Sequence, residues 1–375
     1  MKRTSVYANG VIWFGAAVSV AEIEAGIQSG GNWPALILGH LLGGALLFLA
    51  GLTGALSRRN AMESAASAFG RRGARFFAAL NVLQLVGWTA VMLGQGAAAA
   101  GAIAGVGTAV PCAALAALVA LWIFAGLDDS FHLATACMAL LAALSVFLTF
   151  RLFGLPAATA DGAGAGAVGA TGFVAAFELS AAMPLSWLPL ISDYTKDAER
   201  PVAATAVSAA VYTLASVWMY AIGMLLARSG CAGLPDGIVR AGAGVAGLAV
   251  VVASTVTTTF LDAYSAGESA KAIFPKARPK LVGVAVCAAG AALAVSGIVD
   301  RYADFLYLVS SVFAPMAAAL LVGVFVVRKP RPWLNLAAWV AGFATYQLAG
   351  DCAIGPTLAS LAVTVVVALL GLVRK

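Results

Sequence analysis

The chain has 375 residues, of which 62% are hydrophobic and only 10% charged, and its mean hydropathy is +0.97. These values lie outside the range of a water-soluble globular domain and indicate a polytopic membrane protein. The formal net charge of +6 does not indicate nucleic-acid binding, because the Lys and Arg residues lie in short hydrophilic gaps between apolar runs, where membrane topology explains them.

About twelve runs are long enough to cross the bilayer as helices, which takes about 20 apolar residues each. In chain order they are 8–28, 33–56, 76–104, 108–126, 131–153, 171–192, 203–227, 242–268, 281–299, 303–327, 333–350 and 352–373. Residues 154–170 form an Ala- and Gly-rich linker between the fifth and sixth runs. We therefore predict an all-α protein with one integral membrane domain over residues 1–375.

The connections between these runs differ in charge on alternate sides of the membrane. One side receives 18 of the 22 Lys and Arg residues, and the other receives only Arg151, Arg228, Arg240 and Arg301. Basic residues favour the cytoplasmic side, so the pattern predicts an even number of spans with both termini in the cytoplasm. We expect a multi-pass protein of the cell's inner (plasma) membrane.

Enzyme chemistry finds little support in the residues. The two histidines are distant from each other, no HExxH-like pattern occurs, and the five cysteines show no paired spacing. The sequence therefore predicts no metal cluster, no disulfide framework and no cofactor. It gives no sign of an obligate protein partner.

Small residues, prolines and carboxylates interrupt two spans that lie five apart. The first span contains WFGAAVSVAEIEAG and the sixth contains ELSAAMPLSWLPLISDY, while spans three and eight carry NVLQLVGW and VVASTVTTTFLDAYSAGES. Transporters place their binding sites at such breaks, at matching positions of inverted repeats. We predict five plus five helices, over about 8–153 and 171–327, followed by two extra helices over about 333–373. Close helix packing is the alternative explanation for the small residues.

Four segments together carry a family resemblance. SWLPLISDYTKD, TTTFLDAYSAGES, SAFGRRGARFFAALNVLQLVGW and WFGAAVSVAEI resemble the nucleobase:cation symporter family of the purine/cytosine permease type, which includes cytosine and hydantoin permeases. The hydroxymethylpyrimidine transporters are the most similar branch. The first ten spans carry the resemblance, and the last two agree only in length. It implies a LeuT-type fold, alternating access, and import of a flat nitrogen heterocycle driven by a cation gradient.

A sodium site is the first expectation for the hydroxyl-rich eighth span. Hard cations prefer hydroxyl, carbonyl and carboxylate oxygens, and the resemblance places Na⁺ on Ser254, Thr257 and Thr258. Carbonyls freed by the break in the first span, around Ala16 and Ser19, would complete the ligands. Serine and threonine also commonly bond to carbonyls of their own helix. A proton is the alternative coupling ion.

The substrate is expected beside this cation. Trp88 and Trp187 correspond to aromatic positions that sandwich the ring in the family, and stacking suits a planar heterocycle. Gln84, one turn before Trp88, and Ser186 offer hydrogen bonds to the ring edge. Thr259 stands where the cytosine permease pattern has an asparagine, which weakens the case for the same substrate.

Two carboxylates inside the spans are expected to be functional, because charge at mid-membrane is costly. Glu22 lies just past the first break, and an ionised carboxylate accepts two parallel hydrogen bonds from an amino-heterocycle edge. That favours an aminopyrimidine over uracil or hydantoin. Asp262 is expected to be a second polar contact or a proton carrier, whereas Glu24, Glu178 and Asp193 are expected to make structural bonds or reach helix ends.

Other transport functions remain open at this stage. A channel is disfavoured because the polar groups cluster at one depth rather than lining a path. An amino-acid or osmolyte transporter of the same fold is the main alternative, although a zwitterion carrier would want an exposed helix N-terminus for the carboxylate rather than paired aromatic rings.

Overall fold

The computed structural model describes residues 3–125, 130–154, 171–231, 233–328, 331–350 and 352–373. Within these ranges the regular elements are helices, and the only β-type pairing is an isolated bridge between Thr4 and Ala198. The Ala- and Gly-rich linker predicted at 154–170 lies, apart from its first residue, outside the described residues.

Fifteen α-helices occur in the described ranges. The first eight are α1 (Val6–Ala17), α2 (Val20–Gln28), α3 (Trp33–Ser57), α4 (Ala61–Ala104), α5 (Ala109–Ala125), α6 (Ser130–Phe153), α7 (Phe173–Ser186) and α8 (Ile191–Thr195). The others are α9 (Pro201–Arg228), α10 (Leu234–Arg240), α11 (Gly244–Ile273), α12 (Pro279–Val295), α13 (Tyr302–Leu321), α14 (Pro332–Leu348) and α15 (Pro356–Leu369).

The lengths and composition of these helices indicate a multi-pass membrane protein. Six helices of the described chain are long and apolar enough to cross a membrane, and the bent pair α1 and α2 makes a seventh. Four further apolar helices are shorter, between 10 and 17 residues. Most helices match the predicted runs to within a few residues. The main exception is α4, which begins well before residue 76 and continues through a kink at Gly70, where φ is 68°.

Both predicted interruptions of the first and sixth spans occur. The axes of α1 and α2 differ by 51° across a break at Val18 and Ser19. Ser19 has extended backbone angles, and its hydroxyl accepts from the Glu22 amide at 3.4 Å as the N-cap of α2. The sixth span consists of α7, which contains Pro184, then a turn over 187–190, then the five-residue α8. Carbonyls one turn before a proline lack an amide donor, which favours ending α7 at this point.

Glu178 fastens α7 to the two C-terminal helices. Its carboxylate accepts from the Tyr346 hydroxyl of α14 at 3.0 Å, and from the Thr357 amide and hydroxyl of α15 at 3.0 and 2.5 Å. Because the Thr357 amide lies in the first turn of α15, the helix dipole also favours the negative charge of this carboxylate. Asp193 likewise accepts from the Ala61 amide at the start of α4, at 2.8 Å. Both carboxylates make structural bonds, as expected from the sequence.

Candidate substrate and cation site

One cavity lies where the α1–α2 break and the end of α7 face α4, α9 and α11. Its lining combines small, aromatic, sulfur-containing and polar side chains. They are Ala16, Ser19, Ala21, Glu22, Gln84, Leu85, Trp88, Met92, Met183, Ser186, Trp187, Leu190, Tyr212, Thr258 and Asp262. The two helix interruptions therefore open onto a common space in the interior.

Most of the site residues predicted from the sequence meet at this cavity. Of the predicted substrate residues, Glu22, Gln84, Trp88, Ser186, Trp187 and Asp262 line it, and of the predicted cation ligands, Ala16, Ser19 and Thr258 do so. Thr259 is not among the lining residues. It is fully buried, and its hydroxyl donates to the Thr255 carbonyl at 2.7 Å.

Two tryptophans lie on different walls of the cavity, each held by edge-to-face contacts with other rings. Trp88 of α4 packs against Phe305 of α13 with ring centroids 5.2 Å apart. Trp187, at the end of α7, packs against Trp13 of α1 at 5.4 Å and Tyr212 of α9 at 6.0 Å. Edge-to-face pairs of this kind favour fixed ring orientations, so the aromatic walls are preorganised.

Gln84 joins α4 to the end of α7 and keeps an unused acceptor. Its amide nitrogen donates to the Asn81 side chain and to the Ser186 carbonyl, both at 2.9 Å. Because a carbonyl only accepts, the bond to Ser186 fixes which end of the amide is the nitrogen. The amide oxygen of Gln84 is buried and has no hydrogen-bond partner. Ser186 also donates its hydroxyl to the Met183 carbonyl at 2.7 Å.

Asp262 contributes a second unused acceptor to the same cavity. One of its carboxylate oxygens, Oδ2, is buried without a hydrogen-bond partner. A buried polar atom left unpaired costs free energy, and no hydrogen bond from the protein offsets that cost at this oxygen of Asp262. Together with the amide oxygen of Gln84, it makes the cavity suited to a ligand that donates hydrogen bonds.

Glu22 is engaged by the protein itself. Its Oε1 accepts from the Tyr212 hydroxyl at 2.6 Å, and its Oε2 shares a second hydrogen bond with the Ser216 hydroxyl, also at 2.6 Å. Ser216 also contacts Nε2 of His40 at 2.7 Å. A substrate edge that approached both oxygens would compete with Tyr212 and Ser216. The expected parallel pair of hydrogen bonds, donated by a substrate edge to Glu22, therefore does not fit this arrangement, because each oxygen already has a short partner.

The hydroxyls of the predicted cation site lie on one side of α11. Thr257 and Thr258 both donate to the Ser254 carbonyl, at 2.8 and 3.0 Å. This is the bonding within one helix that the sequence left open as an alternative. It uses the hydrogens of both hydroxyls and leaves their oxygen lone pairs available to a cation. Ala16 lies in the last turn of α1. Carbonyls in the last turn of a helix have no following helical turn whose backbone amides could donate to them.

Tyr212, Ser216 and His40 were not predicted as site residues. Tyr212 and Ser216 are four residues apart on α9, so they share one face of the helix. That spacing of hydroxyls in an apolar span was a signal in the sequence. Their partner on α2 could not be identified from it, because the contact joins residues about 190 positions apart.

Comparisons with known proteins agree with this architecture. The sequence matches no protein-family model, and no curated protein matches it. Among solved structures, the inward-facing conformation of Mhp1 aligns with a TM-score of 0.78 and 17% identity over 99% of this chain and 90% of that one. Mhp1, a nucleobase-cation-symport-1 family transporter, also aligns in a closed conformation with bromovinylhydantoin bound, at a TM-score of 0.72 and 18% identity over 99% and 92%.

A third similar structure has a different substrate. A Na⁺-coupled sialic acid symporter in a substrate-bound, outward-open state aligns with a TM-score of 0.73 and 14% identity over 100% of this chain and 90% of that chain. The protein thus has the fold of cation-coupled secondary transporters, the LeuT fold, and the proteins it resembles are transporters rather than enzymes. At these sequence identities the structural similarity establishes the fold alone. The substrate has to be inferred from the chemistry of the cavity.

Proposed function

We propose that the protein is a secondary active transporter that imports a small planar nitrogen heterocycle together with a cation, by alternating access. The observation that carries the proposal is the cavity at the two helix breaks, with Trp88 and Trp187 in its walls and unpartnered acceptors on Gln84 and Asp262. The fold shared with cation-coupled transporters supports the mechanism. We place it in the inner membrane with both termini cytoplasmic, without an obligate protein partner.

The polarity of the unpartnered atoms supports a particular substrate edge. Both are acceptors, and one belongs to a carboxylate, so the favoured ligand presents two or more N–H donors. The exocyclic amino group of hydroxymethylpyrimidine or cytosine provides two of them, and protonation of the neighbouring ring nitrogen adds a third. The planar ring would lie against the tryptophans, since stacking requires little more than a π face.

An amino-acid or osmolyte carrier of the same fold is the second candidate. The carboxylate of a zwitterion needs donors or positive charge, yet the side chains that line the cavity include two acidic residues, Glu22 and Asp262, and no Lys or Arg. The arrangement therefore favours the heterocycle.

Sodium is the coupling ion we propose, bound by the hydroxyls of Ser254, Thr257 and Thr258 with oxygens of Ala16 and Ser19. These are all hard oxygen ligands of the kind that Na⁺ requires. Thr258, Ala16 and Ser19 border the same cavity, so the ion and the substrate would be neighbours. The proton is the alternative coupling ion.

The direct test is a ligand screen on the purified protein. Thermal unfolding is measured with pyrimidines, purines, hydantoins and amino acids, each in Na⁺ buffer and in K⁺ buffer. We expect stabilisation by aminopyrimidines that is larger in Na⁺, because a ligand that binds only the folded state raises its stability. Stabilisation by amino acids alone would replace this function with the second candidate.

A further inference from the structure

A chain of hydrogen bonds leads from the cavity into the interior of the helix bundle. Glu22 of α2, at the cavity wall, contacts Ser216 of α9 at 2.6 Å, and Ser216 contacts Nε2 of His40 of α3 at 2.7 Å. The other ring nitrogen of His40, Nδ1, lies 3.0 Å from the Leu36 carbonyl. Glu22 is 2% exposed, and Ser216 and His40 are fully buried, so each contact must be satisfied within the protein.

Counting hydrogens along this chain fixes its protonation. The Leu36 carbonyl only accepts, so Nδ1 of His40 carries a hydrogen. If His40 is neutral, its Nε2 is an acceptor, and the one hydrogen of Ser216 must go to it. The Ser216 oxygen then accepts from Glu22, which must be a carboxylic acid. If Ser216 instead donates to Glu22, Nε2 must carry a hydrogen and His40 is an imidazolium.

Both arrangements hold one proton more than an ionised Glu22 with a neutral His40. In that third state Ser216 has one hydrogen for two acceptors, and two lone pairs would face each other across 2.6 or 2.7 Å. An unpaired contact of this kind is costly in a buried site. We propose that Glu22, Ser216 and His40 form a proton-binding site that opens onto the cavity and carries one proton in this conformation.

The groups around Glu22, Ser216 and His40 favour the uncharged form of this hydrogen-bond chain. The titratable groups around Glu22 are Glu24 on α2, His40 on α3, Tyr212 and Tyr220 on α9, Tyr302 on α13, and Asp262 across the cavity on α11. The Tyr302 hydroxyl donates to the Ala21 carbonyl. None of these is a fixed cation, and the three ion pairs of the described chain involve other residues. Separated charge is expensive in such a setting, so a carboxylic acid beside a neutral imidazole is the resting form.

The two forms interconvert without gain or loss of atoms. Glu22 transfers its proton to the Ser216 oxygen while the Ser216 hydrogen passes to Nε2 of His40, which converts acid and imidazole into carboxylate and imidazolium. The proton can therefore lie at the cavity or one helix deeper. A role of this proton in coupling rests on the proposed transport function. The presence of the proton does not depend on that function.

Spectroscopy of the purified protein tests the site without a substrate. The chain has only two histidines, so His132→Gln, on α6, leaves His40 as the sole histidine. Nitrogen NMR of isotope-labelled histidine in Na⁺-free K⁺ buffer at neutral pH should show a neutral ring protonated at Nδ1. Infrared spectra should show a carboxylic acid C=O band that is lost in Glu22→Gln. An imidazolium without that band is the second form and also supports the site. A neutral His40 with no band lost in Glu22→Gln overturns it.

A matched pair of variants distinguishes an effect of the hydrogen-bond chain from a general effect on helix packing. Ser216→Ala removes the link between Glu22 and His40, and we expect the His40 nitrogen signals to shift. Tyr212→Phe removes the other hydrogen bond to Glu22 but leaves the chain intact, so the histidine signals and the acid band should stay. Equal shifts in both variants would contradict the proton-binding site. Because the His132→Gln protein, with Glu22, Ser216, His40 and Tyr212 all intact, already gives the first result, a Ser216 or Tyr212 variant that fails to fold leaves the proposal testable.

Discussion

Gly26 of α2 lies directly against the backbone carbonyl of Tyr220 on α9. A Cβ at Gly26 would overlap that carbonyl, and one at Gly223 would overlap the Ile23 carbonyl. The backbones of α2 and α9 are therefore closer here than they could be if either glycine carried a side chain. Small residues permit this close packing of membrane helices. This approach brings Glu22 within hydrogen-bond distance of Tyr212 and Ser216.

Substitution of either glycine should separate these helices. We expect Gly26→Ala and Gly223→Ala to destabilise the protein by about 1–3 kcal/mol, the usual cost of overpacking, and to lengthen the contacts of Glu22. Thermal unfolding measures the loss. Gly107→Ala is the matched control, because no atom lies within 4 Å of a Cβ at that position. Unfolding temperatures that are equal in all three variants would contradict the close approach.

The tryptophans of the cavity provide a second prediction. If the substrate ring stacks on Trp88 and Trp187, replacement by Phe should be tolerated better than replacement by Ala at each position. Stacking is worth about 0.5–1.5 kcal/mol beyond area burial, so each Ala variant should lose roughly tenfold in affinity once the lost area is included. The measurement is ligand binding to purified protein. Unchanged affinity in both Ala variants would assign the rings to packing alone.

The all-helical, multi-span character of the protein could be predicted from the sequence because apolar runs of membrane length are a strong and local signal. The two helix breaks were also local, since Pro184 and the small residues near Ser19 interrupt otherwise regular spans. The contacts of Glu22 were not local. They depend on how α2, α3 and α9 pack, and a carboxylate in a span shows that a partner is needed without showing which one.

The same limit applies to Thr259. Its position next to Thr258 gave no means to decide which hydroxyl faces the cavity, because adjacent helical residues differ by about 100° around the axis. A register error of one residue therefore moves a side chain from the cavity to a neighbouring helix. Aromatic and polar clusters spread over several turns, such as Gln84 with Trp88, tolerate that uncertainty better.

Sodium dependence should follow the hydroxyls of α11. Thr257→Val and Thr258→Val keep the side-chain shape but remove the oxygens, so each should raise the Na⁺ concentration needed for half-maximal ligand binding. Thr255→Val is the control, because its hydroxyl bonds to Val251 and its methyl group packs against Gly96 of α4. Ligand binding is titrated with NaCl at constant ionic strength. Binding by the unmodified protein that does not respond to Na⁺ would exclude this ion and favour the proton.

The last prediction decides which carboxylate recognises the substrate. Asp262 has an unpartnered oxygen at the cavity, whereas both oxygens of Glu22 are bonded within the protein. Asp262→Asn replaces one acceptor by a donor and sets it against a substrate N–H. Such a mispaired buried group costs about 1–3 kcal/mol, which corresponds to roughly tenfold to a hundredfold weaker binding of hydroxymethylpyrimidine or cytosine. Uracil and hydantoin present carbonyl oxygens, so their binding should hold or improve.

Glu22→Gln is the matched comparison for this selectivity. Because Glu22 contacts protein groups, its substitution should change the affinity for all of these ligands by a similar factor rather than reverse their order. Competitive binding of the four compounds to each variant at matched folded concentration gives both patterns. If Glu22→Gln weakens the aminopyrimidines alone while Asp262→Asn acts equally on every ligand, the roles are exchanged, and Glu22 must release Tyr212 or Ser216 when the substrate binds.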